Sequence, residues 1–182
     1  MIKHLLSLTL AAAVGLPLTF SALGAAERTE TTTTTTTTSL NKDDVKFFQI
    51  ANQGGLLEIK TSELVVKRNV TGPAADYAKK MTTEHESVNK ELSSLASKKG
   101  VTLPTALDVD TQKKYDSLVK VSDAKLGKEY MEAQIKAHKA AVSCFKDAAD
   151  DSKDVDVKAI ATKHLANLQA HLEEAKRIED TL

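Results

Sequence analysis

The chain has no tryptophan, a single cysteine, three prolines and only 4% aromatic residues in 182. Each shortage excludes something. Cys144 alone cannot close an intramolecular disulfide, so this is not a disulfide-stapled secreted fold and stability has to come from packing. Few aromatics, together with Ala, Leu, Lys, Glu and Asp in abundance through the second half, favour helix over strand. Charge of one sign is also missing: 25 basic residues stand against 25 acidic ones. A near-neutral chain argues against nucleic acid as a partner, because that binding rests on clustered Lys and Arg neutralising phosphates. The length suits one domain with a real core.

What is present begins with a three-part leader. Lys3 and His4 precede the apolar run Leu5 to Leu18, and small residues follow at Ala22, Gly24 and Ala26. This pattern predicts a signal peptide over 1–25, cleaved near Gly24 or Ala26, and a periplasmic product, with secretion or outer-membrane association as variants. The alternative is a membrane anchor, but the run is short for a span and contains Gly15 and Pro17. No cysteine lies at the cleavage site, which closes the lipoprotein route. Residues 26–40 are dominated by Thr29 to Ser39, almost pure threonine, and read as a flexible linker, bare or glycan-bearing.

From Asn41 to Leu182 the chain resolves into four segments of helical periodicity and matched length. The first covers 41–69 and stops before Gly72-Pro73, where Pro suits an opening helical turn. The second covers 73–99 and stops at Gly100. The third covers 123–150 behind Ser122 as N-cap, and the fourth covers 154–182. This predicts an all-α fold, a ferritin-like four-helix bundle over 41–182. Between the second and third helices, Val101 to Ser122 hold a short helix over 110–121. That stretch is long enough to span a bundle about 40 Å long, so a crossover connection is expected in place of an up-down-up-down turn. No membrane-spanning segment is expected in the mature chain.

All four histidines of the mature part fall on or beside an apolar seam: His85 in the second helix, His138 in the third, His164 and His171 in the fourth. Depth sorts them. Measured at ~1.5 Å per residue from the end shared in a crossover topology, Glu58, His85 and His171 lie at roughly 17 to 18 Å, His138 at roughly 23 Å and His164 at about 27 Å. One carboxylate and three imidazoles, one per helix, form a candidate metal set of Glu58, His85, His138 and His171. Imidazole donors suit Zn, Fe, Cu or Ni better than Mg or Ca. The bland alternative is a structural polar layer satisfied by neighbours, with Asn89, one turn beyond His85, available for that purpose. Di-iron carboxylate bundles use Glu-x-x-His pairs, whereas Thr82, Ile135 and Leu168 stand three residues before His85, His138 and His171, so ferroxidase or oxygenase chemistry is not expected. Gly54-Gly55 inside a helix should cost about 1 kcal/mol each against Ala, which calls for close approach of another helix or room beside Glu58. Cys144, next to Phe145, reads as a buried inert thiol.

Several blocks occur in order: Gln53-Gly54-Gly55-Leu56-Leu57-Glu58, Met81 to His85 with Asn89-Lys90-Glu91-Leu92, Lys99-Gly100-Val101-Thr102-Leu103-Pro104, Tyr130-Met131 with His138 and Ala141-Val142, and His171-Leu172-Glu173-Glu174-Ala175-Lys176. Together they resemble the family termed domain of unknown function 4142, over about 44–178. The resemblance implies an exported bacterial ferritin-like bundle with no assigned reaction. Its pattern includes Glu58, His85, His138 and His171 but not His164. Where members often carry a second acidic residue shortly after Glu58, this chain has Lys60.

The functional expectation is a non-enzymatic periplasmic bundle that binds metal, with Zn, Fe or Cu as candidates, and is linked to envelope stress. The alternative is a structural or partner-binding module without metal, serving a protein partner or a homo-oligomer. An oxidative enzyme using iron or copper is the remaining reading.

Overall fold

The computed structural model describes residues 40–182; the expected leader and nearly all of the threonine linker lie outside the described residues. Five helices follow in order: α1 (Lys42–Lys67), α2 (Pro73–Lys98), α3 (Val109–Val119), α4 (Asp123–Asp151) and α5 (Val155–Glu179). No strand occurs among the described residues, and no described helix is long and apolar enough to cross a membrane.

The helix ends follow local chemistry. Asn41 caps α1 by accepting from the Asp44 N–H at 2.8 Å, and Asp154 caps α5 by accepting from the N–H groups of Asp156 and Val157. Pro73 opens α2, as expected. Gly100 takes φ 79° just past α2, and the Val101 N–H turns back to the Ala96 carbonyl at 2.8 Å. Ser122 occupies the N-cap of α4, but its hydroxyl makes no capping bond; the favourable first-turn charge is Asp123, which pairs with Arg68 instead.

Side-chain pairs fix the directions of the long helices. Ser62, late in α1, meets Tyr130, early in α4, at 2.8 Å, while Asp44, early in α1, accepts from Ser152 just past α4 at 2.6 Å. These two helices are therefore antiparallel. Tyr77, early in α2, donates to the His171 carbonyl of α5, and Lys99 at the far end of α2 holds Asp154 before α5 at 2.7 Å, so α2 and α5 are antiparallel too. Glu58 meets His85 and Asn52 meets Asn89, so α1 and α2 are antiparallel as well; α2 and α4 therefore run the same way, and the chain between them has to travel the length of the bundle: the expected crossover. Its path is tied to α1 by side chains. Asn52 donates to the Pro104 carbonyl and Gln53 to the Ala106 carbonyl, while the Gln53 oxygen accepts from the Asp108 N–H and the Thr111 hydroxyl.

The core has two apolar regions. One gathers Phe47, Phe48, Leu92, Phe145, Val157 and Leu168; the other gathers Leu64, Tyr77, Met81, Leu126, Tyr130 and Ala175. On every long helix the residue predicted for the metal set falls in sequence between members of these two clusters: Glu58 between Phe48 and Leu64, His85 between Met81 and Leu92, His138 between Met131 and Phe145, His171 between Leu168 and Ala175. Burial of each large apolar side chain contributes about 1.5–3 kcal/mol. Those two regions hold the bundle around a polar layer that could not hold itself.

Candidate metal centre

Glu58, His85, His138 and His171 arrive in this layer from α1, α2, α4 and α5, one per helix. All four are buried, His138 completely. The imidazole centroids of His85 and His138 are 5.4 Å apart, those of His138 and His171 5.4 Å, and those of His85 and His171 5.9 Å. One nitrogen from each ring lies within 4.8 Å of the other two. Four-coordinate zinc with bonds of about 2.0–2.1 Å needs its nitrogens roughly 3.3 Å apart, so shifts of about an ångström would bring the set onto one ion. The depth estimate placed His138 one turn off the others; its ring closes that gap and lies against both partners.

The carboxylate ties the rings together. Glu58 Oε2 stands 2.7 Å from His85 Nε2, and Oε1 stands 3.3 Å from His138 Nδ1. The first contact is close enough for an ion pair but off the direction of a hydrogen bond, and His85 Nε2 has no hydrogen-bond partner. His138 Nδ1 lies 3.0 Å from the Gln134 carbonyl one turn back, and His171 Nε2 lies 2.6 Å from the Glu84 carboxylate. With those nitrogens as donors, the lone pairs fall on His138 Nε2 and His171 Nδ1, and both atoms are buried without a hydrogen-bond partner. A metal-ligating histidine is held in the same way, with its second nitrogen on a carbonyl or carboxylate.

Electrostatics divides the four groups. Burial pushes the Glu58 carboxyl upward, but the His85 and His138 rings beside it outweigh this and hold it below its ordinary range. Burial would lower the His85 imidazole, yet the Glu58 carboxylate wins and raises it. Burial dominates at His138, which is lowered, and at His171, where the neighbouring His138 pushes in the same direction. These directions favour a proton on His85 beside an ionised Glu58, and neutral rings at His138 and His171, in the protein without metal.

Other expectations resolve differently. Asn89 does not satisfy His85: its amide nitrogen points to the Asn52 carbonyl at 3.5 Å, and its oxygen lies against Gly55. A Cβ at Gly55 would come within 2.1 Å of that oxygen, so close approach of α2 explains the second glycine of the pair. Gly54 faces open space. His164 is buried but leaves the layer, its Nε2 meeting the Glu91 carboxylate at 3.0 Å. Burial pushes the half-buried Cys144 thiol up to about 11, which agrees with an inert thiol. Sequence reasoning missed Glu84. The signal was there: Glu84 and Glu91 on α2 are seven residues apart, as are His164 and His171 on α5, and antiparallel packing pairs Glu84 with His171 and Glu91 with His164.

Residues 29–178 match the family described as Domain of unknown function (DUF4142), in agreement with the resemblance read from the sequence blocks. No curated protein matches the chain. Among solved structures it is similar to the crystal structure of a DUF305 fragment from Deinococcus radiodurans, with a TM-score of 0.69 and 10% identity, covering 80% of this chain and 100% of that one. At that identity the likeness is one of fold alone.

Proposed function

The chain belongs to the DUF4142 family, and we propose that it is an exported helical-bundle protein that binds a transition-metal ion through His85, His138, His171 and Glu58. The observation that carries this reading is the pair of buried ring nitrogens His138 Nε2 and His171 Nδ1, without hydrogen-bond partners, beside the His85 ring that Glu58 holds at 2.7 Å. An unsatisfied buried polar atom costs about 1–3 kcal/mol. Two in one layer are a burden that a single ion would relieve at once. Neutral imidazoles with one carboxylate suit Zn, Cu or Fe, and no Glu-x-x-His pair is present to support a di-iron site. The task we assign is metal holding in the cell envelope, connected with envelope stress, rather than turnover.

Elemental analysis of the mature protein from its native compartment tests this, beside a His85→Ala, His138→Ala double variant. Near-stoichiometric metal in the wild type and its loss in the variant is the expected result. Metal-free protein that also fails to take up added Zn, Cu or Fe would overturn the reading. It would leave a structural or partner-binding module whose histidines form a polar layer around the buried Glu58–His85 pair. N-terminal sequencing of the same sample checks export, with a start just after Gly24 or Ala26 expected.

A further inference from the structure

A cleft of ≈ 530 Å³ leads from the surface to the polar layer, bounded by α1, α2, α3 and α4, with Glu58 and His85 on its floor. Its size is that of a small-molecule site. Gly54, Leu57, Val88, Ala137 and Ala141 form a small and apolar part of the lining, beside the polar Gln49, Gln53, Asn89 and Thr111. The first of these matters most, because the missing side chain at Gly54 leaves open space where any other residue would project. A glycine in the middle of a helix costs about 1 kcal/mol against alanine, and at Gly55 the approach of Asn89 accounts for it; at Gly54 the cleft does.

The charges around the cleft select the sign of an occupant. Asp108 and Asp110 line it; Asp108 keeps its charge while accepting from the Thr111 N–H and hydroxyl, and Asp110 pairs with Lys113. Lys46 and Lys114 line it as well, both exposed and without a close ion-pair contact among the described residues; with Asp108 set against Lys114 and Asp110 against Lys113, the charge of Lys46 is left over. A divalent ion on the floor beside one carboxylate would add a net positive charge. His85 Nε2, buried and lacking a hydrogen-bond partner, lies on that floor.

We infer that the cleft binds a short-chain monocarboxylate, its alkyl body against Leu57, Val88, Ala137 and Ala141 and its carboxylate toward the His85 end. This rests on the metal reading above, since without the ion the floor carries no net charge. Lys46 draws the anion in; the apolar part of the lining rewards chain length.

Cobalt(II) in place of the native ion gives a visible spectrum that reads its surroundings. Full-length mature protein loaded with cobalt(II) is titrated with acetate and with hexanoate. Hexanoate is expected to perturb the spectrum and to bind at least about tenfold more tightly than acetate, given that each buried methylene contributes about 0.8 kcal/mol. Gly54→Leu, which fills the cleft, is expected to keep cobalt and to lose the hexanoate preference. Ala141→Leu, on the opposite wall, provides the same test in a second background. Cobalt bound with no spectral response to either acid, or with equal affinity for both, overturns the cleft assignment while leaving the metal reading in place. Failure of the wild type to take up cobalt overturns both.

Discussion

Two kinds of buried histidine stand side by side in this bundle. His164 and His171 lie two turns apart on α5, both are nearly inaccessible, and each meets a glutamate from α2, Glu91 at 3.0 Å and Glu84 at 2.6 Å. Beyond those pairs they differ. The His164 ring faces the edge of Phe145 in the apolar region, with centroids 6.5 Å apart, whereas the His171 ring faces two further imidazoles and leaves Nδ1 without a hydrogen-bond partner. Burial and a carboxylate partner do not make a ligand. Convergence with other donors, and a lone pair left free toward them, set the central layer apart.

The sharpest way to test that distinction is to remove one histidine from each group. His138→Ala is expected to reduce zinc affinity by more than the roughly 10–100-fold that loss of an outer-shell partner costs, measured by competition with a chromophoric chelator. Retained affinity in that variant would erase the difference between the two groups. Next in size is Glu58→Ala, which takes away the carboxylate that keeps His85 protonated and leaves that ring buried without its partner. In chelator, urea unfolding should show a loss of about 3–5 kcal/mol, the usual consequence of breaking a buried pair from one side. Third, Glu84→Gln weakens the hold on the His171 tautomer and should lower zinc affinity about 10–100-fold with the fold intact. The matching change at the outer pair, Glu91→Gln, is expected to leave zinc affinity within about twofold. Smallest of all, His164→Ala should leave metal stoichiometry unchanged.

Proton competition sharpens the same contrast. His85 keeps its proton above the ordinary histidine range because of Glu58, so uptake of an ion has to displace it. Zinc affinity should therefore climb by about tenfold per pH unit through and somewhat above the ordinary histidine value of about 6.5. For the metal-free fold the signs are as follows. The raised His85 contributes stability that is present below about pH 6.5 and lost as pH rises through its folded value. The lowered Glu58 contributes stability that is present above the ordinary carboxylate range and lost as pH falls through its own. His138 and His171, both lowered, oppose folding increasingly on the acid side of 6.5. Urea midpoints in chelator between pH 4 and 9 measure the balance, and a Glu58→Ala variant should lose the His85 part of it.

The metal chemistry proposed here sits where the bundle is least able to stabilise itself. The Phe47–Phe48–Phe145 end is aromatic, with Phe47 and Phe145 centroids 5.1 Å apart at a steep angle. Truncating Phe48, which is fully buried there, should cost about 3–5 kcal/mol on general grounds. Nothing of that kind supports the middle layer, where the side chains are polar and their partners are one another.

Much of this was legible in the amino-acid sequence because helix periodicity and punctuation are local. Apolar spacing, Pro73 at a helix start and Gly100 at a helix end set four long helices within a few residues of their observed limits, and the length of chain between Gly100 and Ser122 favoured a crossover over a short turn. That topology in turn sorted Glu58, His85 and His171 to one level by rise per residue alone and left His138 about one turn away, a gap that only its ring closes. What periodicity could not supply is the direction of a ring or the identity of its second partner, since these depend on contacts between residues far apart in the chain. Only the packing of α2 on α5 gave His171 to Glu84 and His164 to Glu91; only the approach of α2 to α1 turned Asn89 away from His85 and onto Gly55. The reason is physical: a helix fixes where a side chain starts, and the neighbouring helices decide where it ends.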